Sequence, residues 1–181
     1  MSRATPKILR LILGLVVLAG CLGCDRVTKH MALETLRPVS PQSWLGGTIR
    51  LHYAENAGAF LGLGRSLPGT LRFWVFTLFP GALMAGLGWL LIVQWDMPWS
   101  QFLALLLLMA GGLGNLIDRV LHHGLVTDFV SFGIGPVRTG IFNMADVAVT
   151  SGTAMLLREW WRKPFASARY TARVFARRRD A

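Results

Sequence analysis

The chain has 181 residues, of which 53% are hydrophobic and only 15% charged, and its mean hydropathy is +0.48. That length suits one domain with a tail, and that composition excludes an ordinary soluble fold. The net charge of +10 comes largely from the C-terminal end, which reads as facing solvent or anionic lipid; nucleic acid is a poor inference from it.

The first apolar run follows Arg3, Lys7 and Arg10 and contains Leu18-Ala19-Gly20-Cys21, the letters of a lipoprotein cleavage site. A lipoprotein's mature part is normally a soluble domain, whereas three further apolar runs follow here. Residues 8–29 are therefore expected to stay as a first span, with Arg10 reaching toward the inner surface. The others are expected at about 72–94, 97–117 and 139–160, the last interrupted by Asp146. Together they give an all-α membrane protein of four transmembrane helices, residues 1–161, followed by a basic tail, 162–181. Basic residues crowd both ends, Arg3 to Arg10 and Arg158 to Arg179, so both termini are expected in the cytoplasm. The outer loops are then 30–71 and 118–138. In the first, Thr48 to Tyr53 alternates polar with apolar after the Gly46-Gly47 turn signal, which predicts a strand in a small extracytoplasmic β-sheet. Such a sheet could hold a further chain by strand addition. The third loop carries the breakers Gly124, Gly133, Gly135 and Pro136. The small residues of the spans, Gly81 to Gly88 and Gly111 to Gly114, are expected to let helices approach closely.

The chemistry has few candidates. Only nine acids are present, and Asp25, Asp118, Asp128 and Asp146 fall at or near membrane boundaries. An acid at membrane depth is costly and points to function, although a structural ion pair with Arg26, Lys29 or Arg119 explains one equally well. Two carboxylates close together hold one proton between them, so one can take a proton from water while the other polarises a peptide carbonyl. Asp118, Asp128 and Asp146 compete for those two places, and Asp146 stands out as having no cation near it in sequence. No H-E-x-x-H motif is present, and the adjacent His122-His123 does not suit a metal, so no metal or other cofactor is expected. Ser151-Gly152 reads as packing. Cys21-x-x-Cys24 lacks the second cysteine pair that a thiol oxidoreductase would use.

Five motifs occur in order: Asp25-x-x-Thr28-Lys29, Asn56-x-Gly58-Ala59-Phe60, Gly111-Gly112-Leu113-Gly114-Asn115-x-x-Asp118-Arg119, Val126-x-Asp128-Phe129 and Phe142-Asn143-x-Ala145-Asp146. With them the chain resembles lipoprotein signal peptidase (signal peptidase II) from about residue 8 to 161. The resemblance implies an aspartic endopeptidase of the bacterial inner membrane, with its site near the outer face. Its partners would be membrane lipid and diacylglyceryl-modified prolipoproteins, cut just before the lipidated cysteine, and it would act as a monomer. It places the catalytic pair on Asp128 and Asp146. Asn115, Asp118 and Arg119 become a supporting network, with Asn56, Gly58, Asn143, Ala145, Asp25 and Lys29 around the site. Segment 50–60 would clamp the peptide near the cut. Thr127 stands where the family usually has an aliphatic residue.

Overall fold

The computed structural model describes residues 7–59 and 62–162. Phe60 of the second motif and the basic tail beyond Arg162 lie outside the described residues, as do Arg3 and the rest of the first six.

Helix α1 (Lys7–Thr35) continues past residue 29, where its span was expected to end. Strands β1 (Gln42–Trp44) and β2 (Ile49–Asn56) follow. A rod from Gly69 to Val93 comes next, built of α2 (Gly69–Phe73), a π turn at Trp74–Leu78 and α3 (Phe79–Val93). Pro80 accounts for the wide turn: it has no N–H for the carbonyl one turn back, and its ring crowds that carbonyl. Helix α4 (Trp99–Leu121) carries Asp118 and Arg119 inside its last turn rather than beyond its end. Strands β3 (Val126–Ile134) and β4 (Val137–Arg138) and helix α5 (Met144–Arg162) complete the order.

Among the described residues, three helices are long and apolar enough to cross a membrane: α1, the rod Gly69–Val93 and α4. Helix α5 is not one of them, because Asp146, Arg158, Glu159 and Arg162 and the Thr150-Ser151-Gly152-Thr153 stretch lower its hydropathy. The apolar faces point outward. Val16, Phe79 and Trp89 are 62%, 61% and 68% exposed, whereas Asp25, Lys29, Asp118 and Asn143 are buried. That distribution suits a surround of lipid around a polar interior.

The sheet has four strands in the order β1-β2-β3-β4, all antiparallel. It therefore joins both long loops, whereas the sequence placed a strand only in the first. Register is Ala54↔Asp128 and Asn56↔Val126, with a bulge between Leu51 and Ala54. The missed strand had a readable signal: Val126, Asp128, Val130, Phe132 and Ile134 alternate with Thr127, Phe129, Ser131 and Gly133.

The two ends of the molecule differ. At one, Arg10 donates to the Trp95 carbonyl at 2.5 Å, its guanidinium lies 4.7 Å from the Trp99 ring centroid, and Ser100 donates to Glu159 at 2.7 Å. Arg10 is 9% exposed, so it is tied down by the turn between α3 and α4 rather than reaching into solvent. At the other end, the C-terminal parts of α1 and α4 meet the start of α5 and the sheet. Glycines allow that meeting. A side chain at Gly111 would strike the Ala145 carbonyl on α5. A Cβ at Gly114 would sit 2.8 Å from Asp25 Oδ2 and 3.2 Å from the Ala145 Cβ. Gly114→Ala is therefore expected to cost about 1–3 kcal/mol of stability in a detergent melting experiment. Gly86→Ala, with nothing within 4 Å of its Cβ, is the control and should leave melting unchanged or slightly raised.

Candidate active site

The site begins with one stitch of backbone. Phe142 accepts the N–H groups of Phe129 and Val130 at 3.1 and 3.0 Å and donates to the Val130 carbonyl at 2.8 Å. This holds the chain entering α5 against β3, and so brings Asn143 and Asp146 to Asp128.

Asn143 caps α5. Its Oδ1 accepts the Asp146 N–H at 2.9 Å, while the Asp146 carboxylate accepts the Asn143 N–H at 3.1 Å. This is a reciprocal capping box, readable as Asn-x-x-Asp before an apolar run. The Asn143 amide also donates to Asp128 Oδ1 at 2.7 Å, and reaches Asn115 Oδ1 and the Thr127 carbonyl at 3.2 Å. Asn143 is fully buried and touches both acids through different atoms.

The second oxygen of Asp128 accepts from the Asn56 amide at 3.0 Å. Asn56 in turn accepts the Gly58 N–H at 3.0 Å, an Asx turn that shapes the loop after β2. A side chain at Gly58 would collide with the Leu63 carbonyl, so only glycine closes this loop. Asp146 Oδ1 accepts from the Asn115 amide at 2.9 Å. Neither Asp128 nor Asp146 has an ion-pair partner among the described residues; amides surround both. Burial first, and then the neighbouring Asp146 charge, push the Asp128 carboxyl up to about 6, against the lowering effect of Asn56, Asn143 and Lys29.

Behind these acids lies a charged layer. Lys29 Nζ meets Asp25 Oδ2 and Asp118 Oδ2, each at 2.8 Å, and donates to Asn115 Oδ1 at 3.2 Å. Its ammonium thus sits between two carboxylates and one amide oxygen. Asp118 is paired through its other oxygen with Arg26 and also accepts the Thr127 N–H at 3.2 Å. Asp25 accepts the Ala145 N–H at 2.9 Å, satisfying a first-turn donor of α5. The cations on Asp118 are thus Arg26 and Lys29. Arg119, its neighbour in sequence, instead donates to the Gly58 carbonyl at 2.9 Å and to the Asn115 carbonyl at 3.3 Å. Adjacent positions on a helix face apart, which leaves Arg119 to hold the β2 loop. Arg26 takes the ion-pair role that the sequence offered it, although it was not among the site candidates; the Thr127 N–H was not among the sequence candidates at all. Because Thr127 enters through its backbone N–H, its side-chain departure from the family leaves that contact intact.

Asn56, Gly58, Asn115, Arg119, Asp128 and Asp146 all line one cavity of about 710 Å³. Its remaining wall is largely apolar, including Val126, Phe132, Phe142, Val147 and Val149. Among the described residues, no three His, Cys, Asp or Glu side chains are grouped as a metal ion would need.

The sequence profile of the family described as Signal peptidase (SPase) II matches residues 17–162. The chain belongs to the signal peptidase II family. The lipoprotein signal peptidase of Mycobacterium tuberculosis (strain ATCC 25618 / H37Rv) is 33% identical over 162 residues, spanning 85% of this chain and 72% of that one. That of Syntrophomonas wolfei is 38% identical over 135 residues, 74% of this chain and 82% of its own. A solved bacterial membrane enzyme superposes with a TM-score of 0.72 at 26% identity, over 84% of this chain and 90% of that one. Family membership makes the protein a bacterial membrane protease of lipoprotein maturation, acting on the signal peptides of lipoprotein precursors.

Proposed function

We propose that Asp128 and Asp146 are the catalytic pair of an aspartic endopeptidase that cuts diacylglyceryl-modified prolipoproteins just before the lipidated cysteine. The observation that carries this reading is the contrast between the two layers. Asp25 and Asp118 are neutralised by Lys29 and Arg26, whereas Asp128 and Asp146 face one cavity, held by amides. A carboxyl held near pH 6 by burial and by a second carboxyl retains a proton well above the ordinary range. Below about pH 6 the pair then carries one proton. The ionised member takes a proton from water as its oxygen attacks the scissile carbonyl, and the protonated member donates to the carbonyl oxygen. The resulting gem-diol collapses, the C–N bond breaks and the amine leaves with a proton from the pair. Which carboxyl starts protonated belongs to the pair rather than to either residue. Asn143 and Asn56 fix the carboxylate planes, and Arg119 fixes the loop at Gly58.

The polar α5 serves as the fourth span, shielded along α4, on which its Gly152 sits against the Ala104 carbonyl. The start of α1 and the end of α5 then lie at the Arg10–Glu159 end, which the basic residues assign to the cytoplasm, so that both termini are cytoplasmic and the pair and sheet lie toward the outer face. Arg26 and Lys29 bear on this assignment. Their charges are spent on Asp118 and Asp25, so they do not offset the basic termini. The chain acts as a monomer and uses no cofactor.

The test is cleavage of a lipidated precursor by purified protein, with the product's N-terminus read by mass spectrometry. The expected product begins at the lipidated cysteine, and Asp128→Asn and Asp146→Asn each lower the rate on the order of 10³-fold or more. Full cleavage by either variant would overturn the pair.

A further inference from the structure

The cavity holding both carboxylates opens onto a second one of about 370 Å³, and the two share Asp128, Asn56 and the Arg138–Ile141 segment. The character of the wall changes across that boundary. Where the first is largely apolar, the second is lined by Arg50, His52, Arg65 and Arg138. Besides Asp128, its lining includes one acid, Glu55, whose carboxylate accepts the Tyr53 hydroxyl at 2.8 Å. Arg50 and Arg65 are exposed, and neither is in an ion pair among the described residues. Arg138 donates one terminal nitrogen to the Gly47 carbonyl at 2.7 Å and the other to the Thr48 and Ser131 carbonyls at 3.5 Å each, while its Nε is buried without a partner. His52 Nδ1 is likewise buried and unpartnered. Burial first, and then the Arg138 and Arg50 charges, hold the His52 imidazole below its ordinary range.

We propose that this second cavity is an anion-selective subsite for the polypeptide after the cut, taking Asp or Glu side chains from the first residues of the mature lipoprotein. The proposal rests on the proteolytic reading above. An extended chain advances about 3.3 Å per residue, so a peptide crossing Asp128 enters the basic cavity within a few residues. The lining comes from strands and loops and from none of the helices, which favours polypeptide over lipid headgroup. Unpaired guanidinium groups recognise carboxylates by charge-assisted, bidentate hydrogen bonds.

The test compares two diacylglyceryl-modified precursor peptides, identical except for Asp/Glu or Asn/Gln in the residues after the cysteine. Both are assayed in neutral detergent with and without added phosphatidylglycerol. The acidic peptide is expected to have a kcat/KM about three- to tenfold higher at low ionic strength, shrinking as salt rises. Arg50→Gln combined with Arg65→Gln should bring the acidic peptide down to the neutral one. Binding of each peptide, read by fluorescence anisotropy, should show the same preference. Cleavage of neither peptide would count against the proteolytic reading, and the binding comparison would still decide the subsite. Equal affinities and equal kcat/KM would overturn it. An effect that follows the added anionic lipid and is equal for both peptides would also overturn it, in favour of a headgroup site.

Discussion

Asp128→Asn is expected to make the protein more stable while abolishing cleavage, with the gain growing between about pH 4 and 6 and complete above about pH 6. The ordinary aspartate value is near 3.8, and burial with Asp146 lifts the folded-state value to about 6. A raised carboxyl binds its proton more tightly in the folded state. Its contribution to stability is therefore fully present below pH 3.8 and is lost as pH rises through about 6. At pH 8 the wild type carries an ionised, buried group at a cost of roughly 3 kcal/mol. An asparagine removes that cost but has only one acceptor for the two amide donors, Asn56 and Asn143, which returns about 1 kcal/mol. The net gain of about 2 kcal/mol corresponds to roughly 4–8 °C in melting temperature for a domain of this size. Melting curves of both proteins in detergent should diverge at pH 8 and converge near pH 4. Equal melting temperatures at pH 8 would mean that Asp128 is not held up by its surroundings.

Lys29→Met is expected to have the opposite effect, a loss of stability of about 3–5 kcal/mol. Removing the ammonium leaves Asp25 without its cation and Asp118 with Arg26 alone, in a layer where both acids are buried. An uncompensated buried charge is what makes breaking such a pair costly, since the desolvation cost remains while the attraction is gone. Adding Asp25→Asn should recover part of the loss, because the stranded carboxylate is then neutral. The check is thermal unfolding of the single and double variants beside their cleavage rates. Activity should fall with the folded fraction. A Lys29→Met protein that melts like the wild type yet fails to cleave would instead place Lys29 in the chemistry.

Most of the candidate site could be read in the sequence because its residues sit in short motifs whose spacing is local. Asn143 and Asp146 are a helix cap and its return partner, and Asp25 and Lys29 are one turn apart on α1. Partner choice across the fold was less legible. Asp118 has Arg119 beside it in sequence but pairs with Arg26 and Lys29, which only the packing of α1 on α4 brings near. Strand β3 was obscured by its flanking glycines, although its alternation was present, and its pairing with β2 spans two loops. The polar α5 shows why composition alone misjudges a helix that carries functional acids. Asp146 lowers its hydropathy for the same reason that it is useful in a cavity.

Single-turnover cleavage by Asp128→Asn, Asp146→Asn and the double variant tests the shared-proton pair most directly. Two groups that act as one unit lose everything when either is removed, so all three rates are expected to fall to the same background. A double variant slower by the product of the two single losses, or a single variant that keeps more than about a tenth of the wild-type rate, would contradict the pair.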